Sequence, residues 1–141
     1  MKWTPTLEAV AARISARTRM DNGELAGTFN SETEPTDEQV IEVIKQAVDF
    51  LALRLGPMAD RLEPQARALA ALRAAYMVEL SFFPEQAETG MSPYNALRTE
   101  FKDALCDYDE TARGLEPNDQ SAHLHSIKVQ TEYPGYALET Y

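Results

Sequence analysis

Cysteine is almost absent from this chain. Cys106 stands alone, so no intrachain disulfide can form, and a reducing compartment is expected. Histidine is nearly as scarce, with only His123 and His125. Bases are outnumbered: 13 Lys and Arg face 23 Asp and Glu, for a formal net charge of −10. Proteins that grip DNA set Lys and Arg on phosphates, so tight or sequence-specific DNA binding is not expected. Long apolar runs are missing as well. The most apolar stretch, from about Ala68 to Phe83, is interrupted by Arg73 and Glu79. It falls short of the roughly 20 apolar residues that cross a bilayer, and no membrane role is expected. The first residues, Met1-Lys2-Trp3-Thr4-Pro5, carry none of the apolar h-region of a signal peptide. There is no internal repeat, no glycine loop of the phosphate-cradling kind and no Ser-His-Asp set with informative spacing.

What remains is a chain of 141 residues, 44% apolar, enough for the core of one domain. Its periodicity is helical. Thr4 and Pro5 form a cap and first-turn pair, followed by Leu7, Val10, Ala11 and Ile14 at helical spacing. Residues 17–35 break the pattern. Asp21-Asn22-Gly23 is a turn signal, and Leu25 to Phe29 has the composition of a short strand. Loops of this length in compact domains are usually functional or disordered. A second helix opens at Thr36-Asp37-Glu38-Gln39, a capping box, with Asp37 and Glu38 complementing the positive helix end. Val40, Val43, Ile44, Ala47, Val48, Leu51 and Leu55 then make one apolar stripe. A left-handed Gly56 followed by Pro57 ends it.

A third helix is expected from Glu63-Pro64 until Pro84 stops it. Leu69, Leu72, Tyr76 and Phe83 line one face, and Ala71, Ala75, Val78 and Phe82 another, which places it at the centre of the domain. The residues from Pro84 to Ser92 read as a plain connection. The fourth helix starts at Ser92-Pro93, runs through Tyr94, Leu97, Phe101, Ala104, Leu105 and Tyr108, and closes near Gly114. The expected fold is therefore all-α. It is a small bundle of about four helices over residues 1–114, with a long loop at 17–35 and an extended C-terminal arm at 115–141. The arm has too little apolar content for its own core.

No residue pattern points strongly to chemistry. His123 and His125 would share one side of an extended segment, but no cysteine lies near to complete a zinc set. They read as exposed polar residues. Cys106 sits among Asp103, Asp107 and Asp109, which is no setting for a thiolate nucleophile. It reads as a small buried or half-buried side chain. The acidic pairs Glu32/Glu34, Asp37/Glu38 and Asp109/Glu110 fall in loops and helix ends, where acids cap and solubilise. Tyr76, Phe82, Phe83, Tyr94 and Phe101 read as core aromatics. No catalytic residue, cofactor or metal is expected.

Five ordered blocks carry a resemblance. They are Trp3-Thr4-Pro5-Thr6; Arg17-Thr18-Arg19 with Gly27-Thr28-Phe29-Asn30; Pro35-Thr36-Asp37-Glu38-Gln39-Val40; Glu79-Leu80-Ser81-Phe82-Phe83-Pro84-Glu85-Gln86; and Ser92-Pro93-Tyr94. In order and spacing the chain resembles the head-to-tail adaptor, or head-completion, proteins of long-tailed bacteriophages, especially those infecting actinobacteria. The resemblance spans residues 3 to about 108. It implies a structural virion protein at the neck, made in the host bacterial cytoplasm. Similar adaptors form rings of usually about twelve copies on the portal protein. There they extend the DNA channel and present a surface to a stopper or other neck protein. Genomic DNA passes through without specific binding, and an acidic wall would reduce its sticking. Two other classes compete on composition alone. One is a free-standing acidic interaction or regulatory module, and the other a helix-turn-helix DNA binder, which needs a basic helix that this chain lacks. Expected interface residues are Phe29 in the long loop, together with Ile127, Val129, Tyr133, Tyr136 and Tyr141 in the arm. There an alternating strand and tyrosine anchors suit docking on another subunit.

Overall fold

The computed structural model describes residues 1–115. Among them the fold is helical: α1 (Leu7–Arg13), α2 (Asp37–Leu55), α3 (Glu63–Phe82), α4 (Pro84–Thr89) and α5 (Tyr94–Arg113), with 3-10 turns at Ser15–Arg17 and Asp60–Leu62. The arm expected over 115–141 lies, beyond Leu115, outside the described residues.

The all-α class is as expected, with differences in detail. The cap of α1 is Thr6 rather than Thr4; its hydroxyl accepts from the Ala9 N–H at 3.1 Å. The residues before it serve the core instead, with Trp3 and Pro5 buried. The capping box of α2 is present: Gln39 N–H donates to the Thr36 hydroxyl, and Thr36 N–H to the Gln39 side chain at 2.9 Å. All seven members of the expected apolar stripe on α2 are buried. Gly56 ends the helix at φ +66° but with ψ −163°, a positive-φ cap with extended ψ rather than a left-handed turn.

α3 is the central element, with α1, α2 and α5 packed around it. Ala66, Ala70, Ala71, Ala74 and Ala75 are all buried along it, and side chains this small let neighbouring backbones come close. Leu69, Leu72, Tyr76 and Val78 fill the spaces between. Pro84 does not simply end the helical region. It occupies the first position of α4, where its missing N–H costs no hydrogen bond. Phe83, outside helical dihedrals, makes the bend between α3 and α4. At α5 the Ser92 hydroxyl accepts from the Tyr94 N–H at 3.1 Å, so the helix starts one or two residues later than its Ser-Pro signal suggests.

The segment 17–35 is not a strand. Two isolated bridges, Arg19 with Leu25 and Met20 with Thr33, are its only ladder pairing among the described residues. Threonines hold it instead. Thr18 is fully buried; its carbonyl accepts from Ala26 N–H at 2.8 Å and its hydroxyl from Gly27 N–H at 3.2 Å. Thr33, 1% exposed, closes a small ring with Asn30: Asn30 N–H donates to its hydroxyl at 2.9 Å, and its own N–H donates to Asn30 Oδ1 at 3.1 Å. Thr18 and Thr33 are satisfied in this way, while the buried Thr28 hydroxyl has no hydrogen-bond partner among the described residues.

Candidate interaction surfaces

The loop is tied to the bundle by an ion pair that links residues sixty-two apart in sequence. Arg17, at the end of the 3-10 turn after α1, donates Nε to Glu79 Oε2 at 2.8 Å and Nη2 to Glu79 Oε1 at 2.7 Å. Nη2 also reaches Gln86 Oε1 on α4 at 2.7 Å. The guanidinium carbon lies 3.8 Å from the Phe83 ring centroid. Glu79 is 0% exposed on the last turns of α3, while Arg17 keeps 16% of its side chain open to water. A planar fork on a carboxylate, stacked on an aromatic face, is chemistry that lysine does not reproduce. Beside the clamp lies an open cleft of about 730 Å³, walled by Met20, Pro35, Phe82 and Phe83 with Arg17 and Arg19 on its lining.

A second arrangement of arginine and aromatic rings lies where α2, α3 and α5 meet. Arg73 holds its guanidinium carbon 3.6 Å over the Phe50 ring centroid and donates to Tyr76 Oη at 2.6 Å. Tyr76 packs edge-on to Phe101 at 5.6 Å and to Tyr94 at 5.8 Å between centroids, so these three rings belong to the core as expected. Burial pushes the Tyr76 phenol above its ordinary range, against the pull of Arg73. Phe82 is partly buried and packs against the core, and with the partly buried Phe83 it also lines the cleft.

The residues singled out from sequence fall as follows. Phe29, expected at an interface, is 2% exposed and belongs to the core of its own subunit, because the threonine-held loop folds it inward. Ile127, Val129, Tyr133, Tyr136, Tyr141, His123 and His125 lie outside the described residues. Cys106 is exposed rather than buried. The apolar side of α5 is narrow, and Cys106 falls off the row of Leu97, Phe101 and Tyr108 that defines it. Of the acidic pairs, Asp37 and Glu38 lie in the first turn of α2, and Asp109 bonds Arg54 at 2.9 Å. No group of three or more potential metal-ligating side chains forms among the described residues. No described helix is long and apolar enough to cross a membrane.

The Arg17–Glu79 clamp was not anticipated. Its signal was present, since Glu79 is one of two charges interrupting the most apolar stretch of the chain. Comparison of the chain with protein-family models, with curated proteins and with solved structures found no match.

Proposed function

We propose that this chain is a structural adaptor that assembles as a ring on a portal and joins a phage head to the next neck component. One observation supports the reading above others. Two of the five sequence blocks that carry the resemblance meet at a single feature, and a third, through Pro35, Thr36 and Gln39, lines the cleft beside it. Arg17 from the first loop block meets Glu79, Phe83 and Gln86 from the block at the end of α3, and Thr18 and Thr33 pin the rest of the loop beside them. Motifs that share one contact are expected to persist together, because losing either side strands a buried charge. The net charge of −10 suits a wall past which DNA must slide without binding. In this role the C-terminal arm makes the portal contact, and many copies per ring make a weak individual contact strong.

The test is capture by purified portal rings. The expected result is a portal complex carrying many copies of the chain. A chain lacking residues from Ser121 onward should keep its melting temperature and lose capture. A full-length protein that stays monomeric and ignores portal rings would refute the adaptor role and leave the free-standing module as the better account.

A further inference from the structure

We infer that the surface around Phe50 and Arg73 receives the acidic flank of α5 from a second copy of this chain, joining copies head to tail. The inference rests on the ring assembly proposed above and names the two faces that build it.

The argument begins with the two rows of charge on α5. Arg98, Lys102 and Asp109 share one row at helical spacing, and Asp109 bonds Arg54 of α2, so this row borders α2. Glu100, Asp103, Asp107 and Glu110 share another. Glu100 bonds Arg13 of α1 at 2.9 Å, so this row borders α1. Leu97, Phe101 and Tyr108 face the core between the two rows. The helix therefore carries cations on one flank and acids on the other.

Beyond the Glu100–Arg13 and Asp109–Arg54 pairs, neither flank is neutralised among the described residues. Asp103, Asp107 and Glu110 are exposed and form no ion pair among the described residues. Arg98 and Lys102 are exposed and likewise lack a carboxylate there. Arg73 makes its contacts to Phe50 and Tyr76 rather than to an acid. Three cations without acidic partners are a notable grouping in a chain with 23 acids and 13 bases. Phe50, under Arg73, is 44% exposed, and Leu53, one turn further along α2, is 90% exposed. Apolar anchors with a charged rim make the usual anatomy of a specific protein contact.

The complement of this patch is on the same chain. A two-fold contact centred on this patch would set cation against cation. A head-to-tail contact sets cations against acids, leaves one free face at each end and propagates until the rotation closes a ring. Complementary charge fixes the register and disfavours a two-fold contact centred on the patch, while Phe50 and Leu53 supply the buried area.

Charge reversal tests this on the full chain. One variant, Arg98→Glu/Lys102→Glu, makes both flanks acidic. A second, Asp103→Lys/Asp107→Lys, makes both basic. All four sites are exposed helix positions without ionic partners, and circular dichroism and melting temperature verify that each variant folds. Self-association is read by sedimentation over a concentration series, and copies per portal by particle mass. Each variant alone should self-associate at least about tenfold more weakly than the parent chain. Mixing the two, or combining all four changes in one chain, should restore assembly, since every contact again pairs opposite charges. If the variants assemble like the parent, or the combined chain fails to recover, the inference is overturned and the adaptor reading stands. If the parent chain assembles neither alone nor on portal, the ring reading itself falls and takes the inference with it.

Discussion

Replacing Arg17 by methionine leaves the Glu79 carboxylate with no cation in a place with no water. Glu79 is 0% exposed and both its oxygens accept from the one guanidinium, at 2.7 and 2.8 Å. Removing one partner of a buried pair costs about 3–5 kcal/mol, because the remaining charge keeps its desolvation penalty and loses its compensation. Against a total stability of about 5–15 kcal/mol, that is a large share. For a domain of this size it corresponds to a fall in melting temperature of about 10–20 °C. The opposite change is milder. In Glu79→Leu the arginine already has 16% of its side chain in water and keeps Gln86 and Phe83 as partners. Its cost is about 1–2 kcal/mol, mostly lost charge-assisted hydrogen bonds. The double change Arg17→Met/Glu79→Leu removes both charges and restores much of the loss, because an apolar pair of similar volume is often neutral in such a site. Urea and thermal unfolding of the four proteins, followed by far-UV circular dichroism, give the cycle directly. Equal costs for the two single changes would refute the asymmetry argued from burial. A double variant as unstable as Arg17→Met would refute the stranded-charge mechanism altogether.

Three further outcomes follow from placement in the core. Burial, reinforced by the Asp109 carboxylate and opposed by Arg54, pushes the Tyr108 phenol up to about 12. The unfolded chain releases that proton near the ordinary value of about 10 while the folded state still holds it, so this contribution is whole below that pH. It is lost as pH rises from about 10 to 12, by roughly 2–3 kcal/mol at the upper end. Tyr108→Phe should flatten the alkaline fall in urea-measured stability, and an unchanged slope would sink the assignment. Phe29→Ala should cost about 3–5 kcal/mol of folding stability; a loss under about 1 kcal/mol would return Phe29 to the surface role first expected of it. Leu72, 2% exposed on α3, should not tolerate Leu72→Asp, since an unpaired buried charge costs several kcal/mol. A soluble, cooperatively melting Leu72→Asp protein would contradict the central position of that helix.

Much of the fold was legible because helices announce themselves locally. On α2 the cap, its reciprocal Gln39, the apolar stripe and the terminal glycine all lie within about twenty consecutive residues, and each was found where the periodicity placed it. α4 was missed for a local reason too. Pro84 is compatible both with ending α3 and with opening a new helix, and in sequence the two look alike. α1 shows the same ambiguity in reverse. Thr4-Pro5 and Thr6 offer competing starts, and the choice of Thr6 follows from burying Trp3 and Pro5 against other elements, information no window of sequence contains.

The loop marks where local reasoning ends. Its length and turn residues suit a functional or disordered segment, with Phe29 within it expected at an interface. What folds it inward is a set of nonlocal partners: Thr18 to Ala26 and Gly27, Arg19 to Glu34, and Arg17 to Glu79 and Gln86. Periodicity is blind to such pairs, yet the chain does carry one usable sign of them. A carboxylate at the most apolar end of a central helix is costly unless a cation reaches it. Glu79 thus demands a base, and the partner must come from a segment free enough in backbone to deliver it. Arg17 and Arg19 stand at the exit of α1, in the one long irregular segment between helices, and are the natural suppliers. The same reasoning places the cleft. The arginine that neutralises Glu79 draws the loop across the end of α3, and the space left beside it is walled by the Phe82 and Phe83 side chains that the bend at Pro84 turns outward. A charge in the wrong place in the sequence is therefore the feature that positions the loop.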